Sequence, residues 1–121
     1  MNNLPRNVQE SIRTFVEGCN RILGKRIKKI ILYGSYARGD YNTSSDIDIL
    51  VLTDYEPKQF YSALKKLSGM TYEIELNYNV ILIPLINNIK NYNEEIDTIP
   101  FYANIKKEGV VIMQKHILET G

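Results

Sequence analysis

Apolar residues recur at steps of three and four near the start of the chain. Val8, Ile12, Phe15, Cys19, Ile22 and Leu23 fall on one face of a helix. Pro5 suits its first turn, where a missing N–H costs nothing, and Gly24 followed by basic residues suits its end. The period then changes. Ile27 to Tyr33 is a β-branched run that predicts a buried strand; Gly34-Ser35 breaks it, and Tyr36 to Arg38 begin a helical turn. Residues 39–45 read as a polar loop. Asp46 to Leu52 predicts a second strand, with Asp46, Asp48 and Leu50 on one face and Ile47, Ile49 and Val51 on the other. Pro57 opens a helix through Phe60, Leu64, Leu67 and Ile74, weakened at Gly69 by about 1 kcal/mol relative to Ala. Asn79 to Ile86 is expected as a third strand, 87–97 as a loop with a helical turn, Ile99 to Lys107 as a last helix, and Val110 to Met113 as a short final strand. Strands alternating with helices define an α/β class built on a small sheet.

The length of 121 residues fits one domain, 1–121, with its own core. Fifteen basic residues stand against 14 acidic, and with no basic excess a direct nucleic-acid ligand is disfavoured. The cluster Lys25-Arg26-Lys28-Lys29 reads as a solvated helix end. The single Cys19 excludes an internal disulfide, fits a reducing compartment, and lies on the apolar helix face as a small buried residue. His116 has no Cys or His at metal spacing, so no zinc site is expected. No charged-then-apolar leader is present. The longest apolar run, Val80 to Ile86, contains a proline and is too short to span a bilayer. A soluble, cytoplasmic protein with no membrane contact is the expectation.

The chemistry concentrates in two segments. Glycine at 34 has no Cβ, so a phosphate can come close to the backbone, and Ser35 can cap the following turn or donate to a phosphate oxygen. Alone, Gly-Ser reads as a plain strand-to-helix turn with a capping serine. Asp46 and Asp48 point to the same side of a strand, roughly 6–7 Å apart at Cα. Two carboxylates so placed repel unless a cation lies between them, and Mg²⁺ binds through such a pair plus substrate phosphates. Alone, Asp-x-Asp reads as a solvated strand edge. Arg38 has three candidate partners: a phosphate, a second protein, or Asp40. Asp40 and Ser45 suit loop shaping. Tyr33 and Tyr36 flank the motif and suit packing on the sheet.

Gly-Ser, ten residues, then Asp-x-Asp resembles the signature of the polymerase-beta-type nucleotidyltransferase superfamily. The fuller string Tyr33-Gly-Ser-Tyr-Ala-Arg-Gly-Asp40 with Ser45-Asp-Ile-Asp-Ile-Leu-Val51 is similar to its minimal nucleotidyltransferase branch, and Pro100 to Gly109 looks like that branch's C-terminal helix with its Glu-Gly end. The resemblance implies a small mixed sheet flanked by helices. It implies that Gly34 and Ser35, with Arg38, hold the triphosphate of ATP, and that Asp46 and Asp48 bind Mg²⁺ in a two-metal site and carry catalysis. The superfamily places a third acid at the head of the next strand; the corresponding residue here looks like Asn79, which can ligate a metal through its carbonyl but cannot act as an anionic base. Glu73 and Glu75 read as a solvated helix face.

The branch implies an antitoxin that transfers AMP from ATP to a tyrosine hydroxyl of a partner HEPN-family ribonuclease toxin and silences it. Two other readings stand beside it: a nucleotidyltransferase acting on a small molecule such as an aminoglycoside, and a lapsed domain that inhibits the toxin by binding alone.

Overall fold

In the computed structural model, which describes residues 3–115, the first amphipathic stripe folds as helix α1, Arg6–Leu23, ending at Gly24. Strand β1, Ile27–Tyr33, follows, then a one-turn helix α2, Ser35–Arg38, and strand β2, Ile47–Thr53. Helix α3 covers Phe60–Tyr78 and strand β3 Leu82–Asn88. Helices α4, Ile89–Glu95, and α5, Pro100–Glu108, precede strand β4, Val110–Gln114. His116 lies outside the described residues.

The sheet order is β3-β2-β1-β4. β1 runs antiparallel to β2 and β4, while β2 and β3 are parallel, joined by the α3 crossover. The mixed sheet follows from this connection, because a parallel neighbour needs a long crossover and a helix supplies it. One sheet face, with Ile30, Leu32, Ile47, Ile49 and Val51, packs on Val8, Ile12, Phe15 and Cys19 of α1 and on Ala63, Leu67 and Ile74 of α3. The other face, with Ile31, Leu50 and Leu52, packs on Tyr92 of α4 and Ile105 of α5. Cys19 is fully buried, and that burial pushes its thiol up to about 12, so it acts as a small apolar residue. Among the described residues no helix is long and apolar enough to cross a membrane.

Two expectations change. Within residues 87–97, expected as a loop with a helical turn, the seven-residue helix α4 takes up most of the range: Ile89, Tyr92 and Ile96 all pack into the second core, and the Asn88 side chain accepts the Asn91 N–H at 3.0 Å as its N-cap. The third strand begins at Leu82 and not at Asn79. Helix α3 runs on to Tyr78, which packs against the α1 side of the core and whose carbonyl accepts the Asn7 amide at 3.0 Å. Asn79 is therefore the left-handed cap of that helix, φ 54°, ψ 53°, a conformation Asn tolerates better than most residues.

β3 is an edge strand, and the Ile47 N–H to Ile81 O bond, 2.8 Å, sets its phase. Odd-numbered residues direct their N–H and C=O groups to β2, and even-numbered ones direct theirs outward. Of the outward positions, the Leu82 N–H donates to Glu75 Oε2 at 2.9 Å, Pro84 has no N–H, and the Asn88 N–H donates to Asn87 Oδ1 at 2.8 Å. Glu75 is thus half-buried and caps the strand rather than lying on a solvated face.

Candidate active site at the Gly-Ser turn

The site lies where β1 and β2 end side by side. Tyr33 pairs with Asp48 across the two strands, so the residue after Tyr33 falls against that carboxylate. That residue is Gly34, at φ 78°, and a Cβ added there would stand 2.2 Å from Asp48 Oδ2. Only glycine satisfies both the backbone and the space. The chain then turns into α2, with the Ala37 and Arg38 N–H groups on the Gly34 carbonyl at 3.1 and 3.0 Å. The Ser35 side chain makes no hydrogen bond among the described residues.

Residues 40–45 return the chain to β2. Ser45 Oγ accepts the Asn42 N–H at 2.9 Å and Asn42 Oδ1 accepts the Ser44 N–H at 2.7 Å, so Ser45 shapes the loop as its residue type suggests. Asp46 is exposed and stands one residue ahead of β2; Asp48 is half-buried within it. Neither carboxylate forms an ion pair or accepts a hydrogen bond among the described residues. Burial first, then the charge of Asp46, push the Asp48 carboxyl above its ordinary range, and Arg38 pulls it back. Burial and then Asp48 push the Tyr33 phenol up to about 12. Arg38 itself bonds Asp40 Oδ2 through Nε at 3.1 Å and Glu108 Oε1 through Nη1 at 3.3 Å, so the Glu-Gly end of α5 is tied to the far end of α2. Of its candidate partners, Arg38 has taken Asp40, and with it Glu108.

The fold thus gathers Gly34, Ser35, Asp46 and Asp48, with Arg38 close enough to act on Asp48 electrostatically. Asn79 does not join them in the sheet. The residue on the rung of Asp48 is Ile83, 38 % exposed, and Ile81, 50 % exposed, bonds to the head of β2. An isoleucine therefore occupies the place assigned to a third acid. Among the described residues no group of three or more His, Cys, Asp or Glu side chains gathers to hold a metal. The sequence hides this register because Val80 to Ile83 is apolar without alternation, and no period marks which residue begins the strand.

On the α1 side of the sheet is a cavity of about 490 Å³ that sequence reasoning did not find, and neither Asp46 nor Asp48 lines it. Its walls come from the start of α1, from Tyr36, from the 41–45 loop and from residues 79–81.

A model of the nucleotidyltransferase domain family matches residues 12–112. Two proteins of Methanocaldococcus jannaschii, each named a "putative protein adenylyltransferase", are similar along almost their whole length. One is 36 % identical over 106 residues, 88 % of this chain and 98 % of its own. The other is 31 % identical over 103 residues, 85 % and 96 % respectively. A chain from a crystal structure of a toxin–antitoxin with AMP-PNP has the same fold, with a TM-score of 0.51 over 84 % of this chain and 73 % of that one, at 14 % identity.

Proposed function

The chain belongs to the nucleotidyltransferase domain family, and from that premise we propose that it is a Mg²⁺-dependent protein adenylyltransferase. Its substrate is ATP, and its acceptor is a tyrosine hydroxyl of a HEPN-family ribonuclease toxin that it neutralises. The observation that carries this reading is the seat of Asp48 against Gly34, which sets a carboxylate pair without ion-pair partners among the described residues at the Gly-Ser turn. The names of the two archaeal relatives support a protein acceptor, and the fold of the toxin–antitoxin chain agrees with a toxin partner.

Asp46 and Asp48 are hard oxygen donors that repel each other when both are ionised. That donor set suits Mg²⁺, with its remaining ligands drawn from the triphosphate, and a second ion would depend on the triphosphate still more. Bound there, Mg²⁺ supplies Lewis-acid stabilisation of charge on the phosphoryl oxygens. Gly34 admits the triphosphate to its backbone, and Ser35 donates its hydroxyl to a phosphate oxygen. Arg38, held by Asp40 and Glu108, adds positive field at the end of the turn. The acceptor oxygen bonds to the α-phosphorus as the bond to the bridging oxygen breaks, and pyrophosphate leaves with that electron pair. The hydroxyl proton passes to water, since Ile83 and not a third carboxylate stands on the rung of Asp48.

The test is label transfer from ATP labelled at the α-phosphate to a candidate toxin from the same genome. Label on the toxin, lost with Asp46→Asn, is the expected result. The isoleucine at the third-acid place favours a second reading, a lapsed domain that inhibits by binding. A tight complex that stays unlabelled would select it.

A further inference from the structure

We propose that Glu108 is a positioning residue for the phosphate turn: from the end of α5 it aims the free nitrogen of the Arg38 guanidinium at the triphosphate, an inference that rests on the nucleotidyltransferase reading above. Ser35 opens α2 and Arg38 closes it, at i and i+3, so their side chains share one side of that single turn. The guanidinium is bound at two different nitrogens, Nε by Asp40 and Nη1 by Glu108, which fixes the plane of the fork. Nη2 has no partner among the described residues, and neither has the Ser35 hydroxyl. Both donors thus stand on one side of the turn where Gly34 meets Asp48, and the Arg38 charge acts on that carboxylate.

The two carboxylates that hold Arg38 are not equivalent. Asp40 follows it by two positions and moves with it, so that bond cannot set where the guanidinium points relative to the sheet. Glu108 belongs to another element, and its place is set by the sheet itself. At Gly109 an added Cβ would stand 2.5 Å from the Ile105 carbonyl oxygen and 2.7 Å from Ile31 Cγ2, so the end of α5 lies hard against β1. The Gly109 N–H closes the helix on that same carbonyl at 2.7 Å. The glycine lets the helix end approach the strand, and the glutamate before it gains a fixed reach to Arg38. Stability does not explain the contact. The Arg38, Asp40 and Glu108 side chains are 42 %, 63 % and 33 % exposed, and ion pairs so exposed add little to folding. Charge alone does not explain it either, because a second carboxylate on Arg38 lowers the positive field that a polyanion meets. What Glu108 adds is direction.

The sign of the effect supplies the test. Affinities of the full chain for ATP and for inorganic tripolyphosphate, each with Mg²⁺, are compared between the wild type and Glu108→Ala. Alanine suits a helix end and the exposed ion pair contributes little, so the variant stays folded. A carboxylate that merely screens Arg38 would, once removed, leave both anions bound more tightly; a positioning carboxylate leaves them bound more loosely. We expect both affinities to fall about three- to tenfold and by the same factor, since Arg38 acts on the phosphates that the two probes share. In an Arg38→Gln background the same substitution should cost nothing further, because Glu108 acts through Arg38. Unchanged or tighter binding by Glu108→Ala overturns the assignment and leaves the nucleotide reading intact. A loss confined to ATP, or one that persists without Arg38, does the same. A wild-type chain that binds neither anion overturns both.

Discussion

At the scale of single residues, the site is held by one contact that leaves no tolerance. Gly34→Ala would place a methyl 2.2 Å from Asp48 Oδ2 at a φ of 78°, so we expect a loss of about 1–3 kcal/mol in urea unfolding. ATP-dependent transfer should also fall to background, because the carboxylate must move for the methyl to fit. Asp48 makes the opposite prediction for stability. Its raised pKa means that the folded chain holds this proton more tightly than the unfolded chain does. The cost of ionising it is absent below the ordinary value of 3.8 and complete once pH passes the raised folded value. Asp48→Asn without metal should therefore melt above the wild type at pH 7, and the gap should close on acidification through that window. A variant that melts lower at pH 7 would contradict the assignment of cause. Both residues were legible in the sequence as members of a spaced motif. The left-handed cap at Asn79 was not, since nothing local distinguishes a helix that stops at Ile74 from one that continues through Glu75-Leu-Asn-Tyr78.

At the scale of elements, amphipathic spacing identified α1, and a β-branched run identified β1, which is buried on both faces; each also has a clear terminator, Gly24 and Gly34. It failed where composition and burial diverge. Helix α4 is rich in Asn and Glu, yet Ile89, Tyr92 and the following Ile96 pack on the second core. Strand β3 begins at Leu82, after the left-handed cap of α3 at Asn79, and the sequence could not reveal that Glu75 reaches forward to the first β3 N–H. Glu75→Ala leaves that half-buried donor without a partner. We expect a loss of about 1–3 kcal/mol, and faster hydrogen exchange at the Leu82 amide than at residues of β1. Unchanged exchange at Leu82 would show that the strand head is held by packing alone.

At the scale of the whole molecule, two cores share one sheet, and the two faces differ in cover. One face carries the long helices α1 and α3, and the other only the short α4 and α5. The class and the sheet's mixed character were legible from element order and resemblance. The cavity was not, because its walls come from three parts of the chain that no periodicity connects. The outer side of β3 has a consequence for the chain's behaviour in a crowded solution. With one donor capped, one absent and one turned onto its own neighbour, that border keeps only the Ile86 N–H of its four outward positions to template a further strand, although Ile81, Ile83 and Leu85 leave it partly greasy. Such an edge is expected to be self-limiting in strand addition. Pro84→Val should restore the missing donor and raise light scattering and amyloid-dye fluorescence on prolonged incubation, while the wild-type chain stays clear.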